Sequence, residues 1–250
     1  MPVALKETLF FSNKVPAKKI AITLRSQIET RRIYLILKRM VDIIFSLFVI
    51  IFILSWLLPI LAVIIRLDSR GPILFIQKRV GFLGRTFRCI KLRTMFVNTV
   101  SDLQQATSDD PRITRVGKFL RITSFDELPQ FFNVLMGEMS IVGPRPHMYK
   151  DNADFAKLVE NYRLRFVVKP GITGMAQVKG YRGPAKEFHS IFHRYQWDAF
   201  YVRNANSFLD FKIVKETILQ VFKSIFSFKF EEKQEDNAPG LAFAGPIISE

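Results

Sequence analysis

The residues best suited to chemistry lie in Ser124-Phe125-Asp126-Glu127-Leu128-Pro129-Gln130, with Arg121 just upstream and Arg145 downstream in Val142-Gly143-Pro144-Arg145-Pro146. Two adjacent acids among fixed cations suit phosphoryl transfer. One carboxylate can act as a nucleophile through an acyl phosphate, a second can hold Mg2+, and arginines can neutralise oxygens of the transferred group. Arginine fits that task because its planar fork meets two phosphate oxygens at once. Lys91, Arg93 and Thr94 end a strand-like stretch and add candidate phosphate donors, and a polar loop leads to Arg112, a further candidate, and Arg115. The same residues have a purely structural reading. Ser124 followed by Glu127 is a capping box, paired acids in a first turn complement the helix dipole, and Pro129 suits that turn. Basic residues on a strand can likewise be a solvated edge. Pattern alone leaves both readings open.

The element that must carry this chemistry to its substrate runs from Ile43 to Ile65, without a charge, between Asp42 and Arg66. A helix of that length reaches roughly 34 Å, enough for the hydrocarbon core of a bilayer. Two features argue against a simple crossing. Pro59 removes a backbone donor inside the run, and Ser55 stands one turn earlier, able to bond the carbonyls a break would free. The flanks are also balanced: Arg25, Arg31, Arg32, Lys38 and Arg39 precede the run, and Arg66, Arg70, Lys78, Arg79 and Arg85 follow it. Orientation depends on asymmetry of basic flanks, so equal flanks predict a segment that enters and leaves on the cytoplasmic face. The expectation is a re-entrant helical hairpin bent between Ser55 and Pro59; a kinked single span is the rival.

Charge narrows the partners. The chain carries 37 basic and 22 acidic residues, net +15, and its first 230 residues hold 36 against 17, or +19. Such an excess seeks anionic lipid, phosphate or nucleic acid, and the apolar run selects the first two. Cys89 is the only cysteine, so no disulfide framework or thiolate metal cluster exists. His189 and His193 share a helical face but have no evident third ligand, which argues against zinc.

The rest of the chain supplies supporting elements. Residues 1–42 read as a basic lead-in helix against anionic headgroups, 43–66 as the membrane helix, 67–230 as a cytoplasmic catalytic domain, and 231–250 as an acidic, disordered tail. Ile73–Val80 and Arg85–Leu92 predict a β-hairpin across Gly81–Gly84. Residues 151–168 predict an amphipathic helix, and Leu209–Phe230 a basic amphipathic helix for the interface or for packing on the core. Gly171, Gly174, Gly180 and Gly183 permit close backbone approach to a ligand, or simply make turns. The fold class expected is α+β and mainly helical, with a small catalytic domain on a membrane hairpin.

Taken together, Lys38-Arg39-Met40-Val41-Asp42, Leu67-Asp68-Ser69-Arg70-Gly71-Pro72, Lys91-Leu92-Arg93-Thr94-Met95, Ser124 to Gln130, Val142 to Pro146 and Lys169-Pro170-Gly171-Ile172-Thr173-Gly174 resemble the bacterial sugar transferases, the monotopic phosphoglycosyl transferases that initiate glycan assembly. The resemblance covers roughly Arg32 to Ile225. It implies transfer of a sugar phosphate from a UDP-sugar to polyprenyl phosphate at the inner membrane, with release of UMP. It further implies Asp126 as nucleophile, Glu127 as the Mg2+ ligand, and Arg121, Arg145, Lys91 and Arg112 as candidates to hold phosphate. One departure is Ser55-Trp56 where the family commonly has Ser-Pro, which displaces the expected break. Larger members carry an N-terminal multi-span module that 42 residues cannot encode. The competing reading is a non-catalytic basic membrane scaffold; a nucleic-acid binder rests on charge alone.

Overall fold

The structure is a computed structural model, and it describes residues 31–99, 101, 104–107, 110–183 and 187–236, with side chains to 226. The lead-in segment before Arg31 lies outside the described residues.

The apolar run forms one continuous helix, Arg32–Asp68. It comprises α1 (Arg32–Val49), a wider π turn (Ile50–Leu54) and α2 (Ser55–Asp68). The helix runs unbroken through the expected break between Ser55 and Pro59. The irregularity falls upstream, at the π turn, and neighbouring side chains repair the ladder: Ser55 Oγ donates to the Ile51 carbonyl, and Trp56 Nε1 donates to the Phe52 carbonyl at 2.8 Å. Such local bonds keep a Pro-containing helix intact in an apolar setting.

One face of this helix is buried against the rest of the protein along its whole length. Near its start Arg39 donates to the Val134 and Leu135 carbonyls at 2.7 and 3.0 Å, and buried Asp42 accepts from Ser140 Oγ and the Ile141 amide at 3.1 and 3.0 Å. In the middle, Val49 and Leu54 join the main core with Phe87, Cys89, Phe131 and Val134. Towards the end, Leu61 and Ile65 pack with Leu92 and Leu120. The opposite face exposes Ile44, Phe48, Phe52, Trp56, Ile60, Val63 and Leu67. An apolar stripe of that extent requires a non-aqueous neighbour.

The fold is mainly helical with two small sheets. Strands β1 (Leu74–Val80) and β2 (Thr86–Leu92) form the expected antiparallel hairpin, in register from Leu74↔Leu92 to Val80↔Thr86. Helix α3 (Arg115–Thr123), a 3-10 turn (Phe125–Glu127) and α4 (Gln130–Leu135) follow, then β3 (Ser140–Val142). Strand β4 (Gly171–Thr173) pairs with β3 in parallel. Their crossing explains two glycines: a Cβ on Gly143 or Gly171 would collide with the backbone of the other segment. Gly174 meets Gly143 in the same way, so these glycines serve strand packing.

The helix expected over 151–168 is two pieces. Helix α5 (Tyr149–Leu158) ends before Asn161, whose φ of 59° turns the chain into a 3-10 segment, Tyr162–Val167. A left-handed residue cannot continue an α-helix, and asparagine tolerates it better than most. Short α6 (Met175–Val178) leads to α7 (Phe188–Asn204) and the long α8 (Ser207–Asp236). The acidic stretch expected to be disordered from 231 is therefore helical as far as Asp236; residues 237–250 lie outside the described residues. Along α8, Ile213 is buried while Phe208, Phe211, Ile218, Phe222 and Phe226 are exposed, so both sides of this helix are apolar.

Candidate active site

The site is built from four segments that meet beside β2. Helix α3 ends in Arg121, and Ser124 adopts a left-handed conformation (φ 66°) that swings the chain into the 3-10 turn carrying Asp126 and Glu127. Strand β2 contributes Lys91, and the loop after β3 contributes Arg145. Buried Asn133 on α4 locks β2 beside the acidic turn: its Oδ1 accepts from the Ile90 amide at 3.0 Å, and its Nδ2 donates to the Arg88 carbonyl at 2.7 Å and to Glu138 at 2.6 Å. Those bonds place Lys91, the next residue, opposite Glu127.

The two acids have different surroundings. Glu127 accepts from Lys91 Nζ at 2.8 Å and from both terminal nitrogens of Arg145, with NH1 at 3.0 Å, while Arg182 stands 3.9 Å away. Its carboxylate is thus a counter-ion for a cation cluster, and the capping box predicted as the structural alternative is not formed. Ser124 Oγ, the other half of that box, has no partner among the described residues. Asp126 is also buried, yet no side chain among the described residues donates to it. Burial raises the Asp126 carboxyl above its usual value, Lys91 opposes that, and the neighbouring Glu127 charge adds to it. Burial acts on Glu127 too, but there Arg145 and Lys91 outweigh it and hold the carboxyl well below the usual range. Two adjacent acids with opposed environments are the pattern of a site that divides roles between them.

A cleft of about 510 Å³ opens over this pair, lined by Lys91, Arg121, Asp126, Glu127 and Arg145 together with Arg79, Arg182 and Arg194. Arg121 donates through Nε to Thr94 Oγ1 at 2.8 Å, which leaves its terminal nitrogens for a ligand. Arg112 stands elsewhere: it forms a two-point pair with Asp110 at 2.9 and 2.6 Å and is not among the lining residues. Arg93 reaches the cleft wall but spends its donors on the end of α2, bonding Ser69 Oγ and O at 2.7 Å and the Pro72 carbonyl at 2.6 Å. His189 and His193 contact each other at 2.9 Å on the exposed side of α7 and are not among the lining residues.

Several residues that line or support the cleft have no local signal in the sequence. Arg79 lies near the end of β1 and donates to the Pro146 carbonyl at 2.6 Å, holding the loop that carries Arg145. Arg165 donates to the Arg145 carbonyl at 2.6 Å and pairs with buried Asp198 at 2.7 Å. His147 also lines the cleft; burial, with Arg165 and Arg194 beside it, holds it well below its usual value and therefore neutral.

The donor set also suits Mg2+. Two successive carboxylates face a cleft open to phosphate, but both Glu127 oxygens already accept from Lys91 and Arg145, so Glu127 would hold the ion by sharing an oxygen with them; Mg2+ takes one or two carboxylates and completes its shell with water and phosphate oxygens. No cluster of three or more candidate metal-ligating side chains occurs among the described residues, so substrate oxygens and water must complete any such shell.

A buried acidic pair clasped by cations thus sits on a body that packs along one face of an apolar helix. Residues 33–224 match the family model described as bacterial sugar transferase, and the chain belongs to that family. It is 44% identical over 191 residues to a UDP-glucose:undecaprenyl-phosphate glucose-1-phosphate transferase of Klebsiella pneumoniae, covering 76% of this chain and 41% of that protein. It is 42% identical to a UDP-N-acetylgalactosamine-undecaprenyl-phosphate N-acetylgalactosaminephosphotransferase of Aeromonas hydrophila, over 74% of this chain and 44% of that one. It is 40% identical to the exopolysaccharide production protein PSS of Rhizobium leguminosarum bv. phaseoli, over 74% and 94% of the two chains. The matched region thus spans about two fifths of the first two relatives and nearly all of the third.

Proposed function

We propose that this chain is a phosphoglycosyl transferase that moves a sugar phosphate from a UDP-sugar to polyprenyl phosphate, releases UMP and so initiates a surface polysaccharide. The observation that carries this reading is the unequal pair: Asp126 lines a cationic cleft without a side-chain donor among the described residues, and Glu127 is the counter-ion of Lys91 and Arg145. Asp126 attacks the phosphorus next to the sugar, the bond to the UMP oxygen breaks, and a phosphosugar ester forms on the carboxylate. An oxygen of the acceptor phosphate then attacks the same phosphorus, restoring the Asp126 carboxylate. Lys91, Arg121 and Arg145 hold the oxygens on which charge builds. Glu127 would hold Mg2+, whose charge would help to neutralise the departing phosphate oxygens when the ion is bound.

The membrane helix fits a re-entrant placement on the cytoplasmic face of the inner membrane. Its beginning, middle and end all pack on the same catalytic body, so a straight crossing would drag that body into hydrocarbon. Entry and exit on one side leave the basic flanks among anionic headgroups.

The test is UMP release from UDP-sugars by detergent-solubilised protein with undecaprenyl phosphate and Mg2+. The parent releases UMP in an acceptor-dependent way and Asp126→Asn does not. Equal release by the variant contradicts the Asp126 assignment, and intact function in it restores the scaffold reading.

A further inference from the structure

A second, smaller pocket of about 70 Å³ is lined by Ser124, Glu127 and Leu128 on either side of Asp126, and it shares Glu127 and Arg182 with the large cleft. Its walls differ in kind. The large cleft is lined by six arginines and the small one by Arg182 alone, with Leu128, Phe131, Ile172 and Val221 set among side-chain amides and hydroxyls. Two observations indicate what enters it. Ser124 is one of the lining residues, and its hydroxyl is buried without a partner among the described residues, two positions before Asp126. A buried unsatisfied hydroxyl has a cost that a ligand oxygen removes. The pocket also sits where two exposed apolar surfaces converge. Phe131 packs against Phe45 of the membrane helix, with ring centroids 5.9 Å apart, and Val221 on α8 is flanked by exposed Ile218, Leu219 and Phe222.

We propose that the small pocket is the acceptor's entrance: it takes the phosphate head of the polyprenyl phosphate, held by Arg182 and the Ser124 hydroxyl, with the isoprenoid chain leaving over Val221 and Phe222. This rests on the transferase reading above and assigns separate approaches to its two substrates. The volume suits a phosphate head and excludes a nucleotide. The charge is complementary, because the Arg182 side chain is only loosely paired, 3.9 Å from Glu127, and can reach either cavity. The chemistry balances: the head supplies the attacking oxygen, a new P–O bond forms to the sugar-bearing phosphorus, and the bond from that phosphorus to Asp126 breaks.

The experiment uses the full chain in detergent with Val221→Trp, which fills the pocket from α8, and Val221→Met as a milder filling. Two readouts are compared with the parent: UMP released in the first turnover without acceptor, and the KM for undecaprenyl phosphate in steady state. The expected result is a stoichiometric first release in both variants, with an acceptor KM raised at least about tenfold by the tryptophan and less by the methionine. An acceptor KM within about twofold of the parent for both variants overturns the proposal. So does loss of the first release in both variants while the parent retains it, because the pocket would then serve the donor. A parent that releases no UMP without acceptor contradicts the covalent intermediate, while the KM comparison still decides the pocket.

Discussion

Removing the Arg145 guanidinium separates an assembled electrostatic site from a chance cluster of charges. In the parent, Arg145 gives Glu127 two parallel bonds, and their side chains are 18% and 6% exposed. Arg145→Ala leaves Glu127 with Lys91 as its one close partner. Breaking a buried pair by deleting one member costs about 3–5 kcal/mol, and the partial exposure of Arg145 places this case near the lower end. At 2–4 °C per kcal/mol for a domain of this size, the melting temperature falls by roughly 6–12 °C. The sign with pH follows from the depressed Glu127 carboxyl. Its stabilising contribution is complete above the unfolded value of about 4.3 and is lost as pH falls through the lower folded value. In Arg145→Ala the folded value rises towards the ordinary one, so the gap between parent and variant is widest near neutrality and closes in acid. The assay is thermal unfolding in detergent from neutral pH downwards, with UMP release measured on the same samples. Loss of one phosphate-holding donor lowers the rate by about 10²–10³, and Arg145→Lys recovers only part of it because an ammonium cannot make the two-point contact. A melting temperature within about 1 °C of the parent, or a gap that does not change with pH, refutes the reasoning.

Asn133→Ala strands the Ile90 amide and the Arg88 carbonyl in the core, so it costs about 3 kcal/mol and, through the displaced Lys91, lowers kcat more than it raises KM; thermal unfolding and steady-state kinetics check both. A cysteine placed at Arg32 and another at Arg70, each in a Cys89→Ser background, both react with a membrane-impermeant maleimide in inside-out vesicles and are both protected in spheroplasts if the helix re-enters. Labelling from opposite sides establishes a crossing instead.

What could be read from the residues was what local physics determines. The β-hairpin was legible because its strand-like runs flank a glycine-bounded turn, and Leu83 and Gly84 do take positive φ there. The apolar run was legible from length alone, but its point of irregularity was not. Pro59 marks a missing donor, yet whether the chain bends depends on which side chains repair the ladder, and Ser55 and Trp56 both do. The acidic pair and Arg121, Lys91 and Arg145 meet in one cleft, whereas Arg112 finds a nearer carboxylate two residues away in Asp110 and is consumed by it. Arg79, Arg165 and Asn133 were invisible because their work is done across long sequence separations: on Pro146, on the Arg145 carbonyl, and on β2. The Asn161 break was hidden inside an otherwise helical pattern, since one residue at positive φ leaves the apolar spacing on either side unchanged.

The central claim is that Asp126 carries the sugar phosphate between donor and acceptor. Its most direct test is intact-mass and peptide mass spectrometry of the parent after mixing with UDP-sugar in the absence of acceptor. The account predicts a gain equal to one hexose phosphate, located on the peptide containing Asp126, absent in Asp126→Asn and discharged when undecaprenyl phosphate is added. UMP release with acceptor but no adduct on the rapidly quenched protein, or an adduct on another residue, contradicts it.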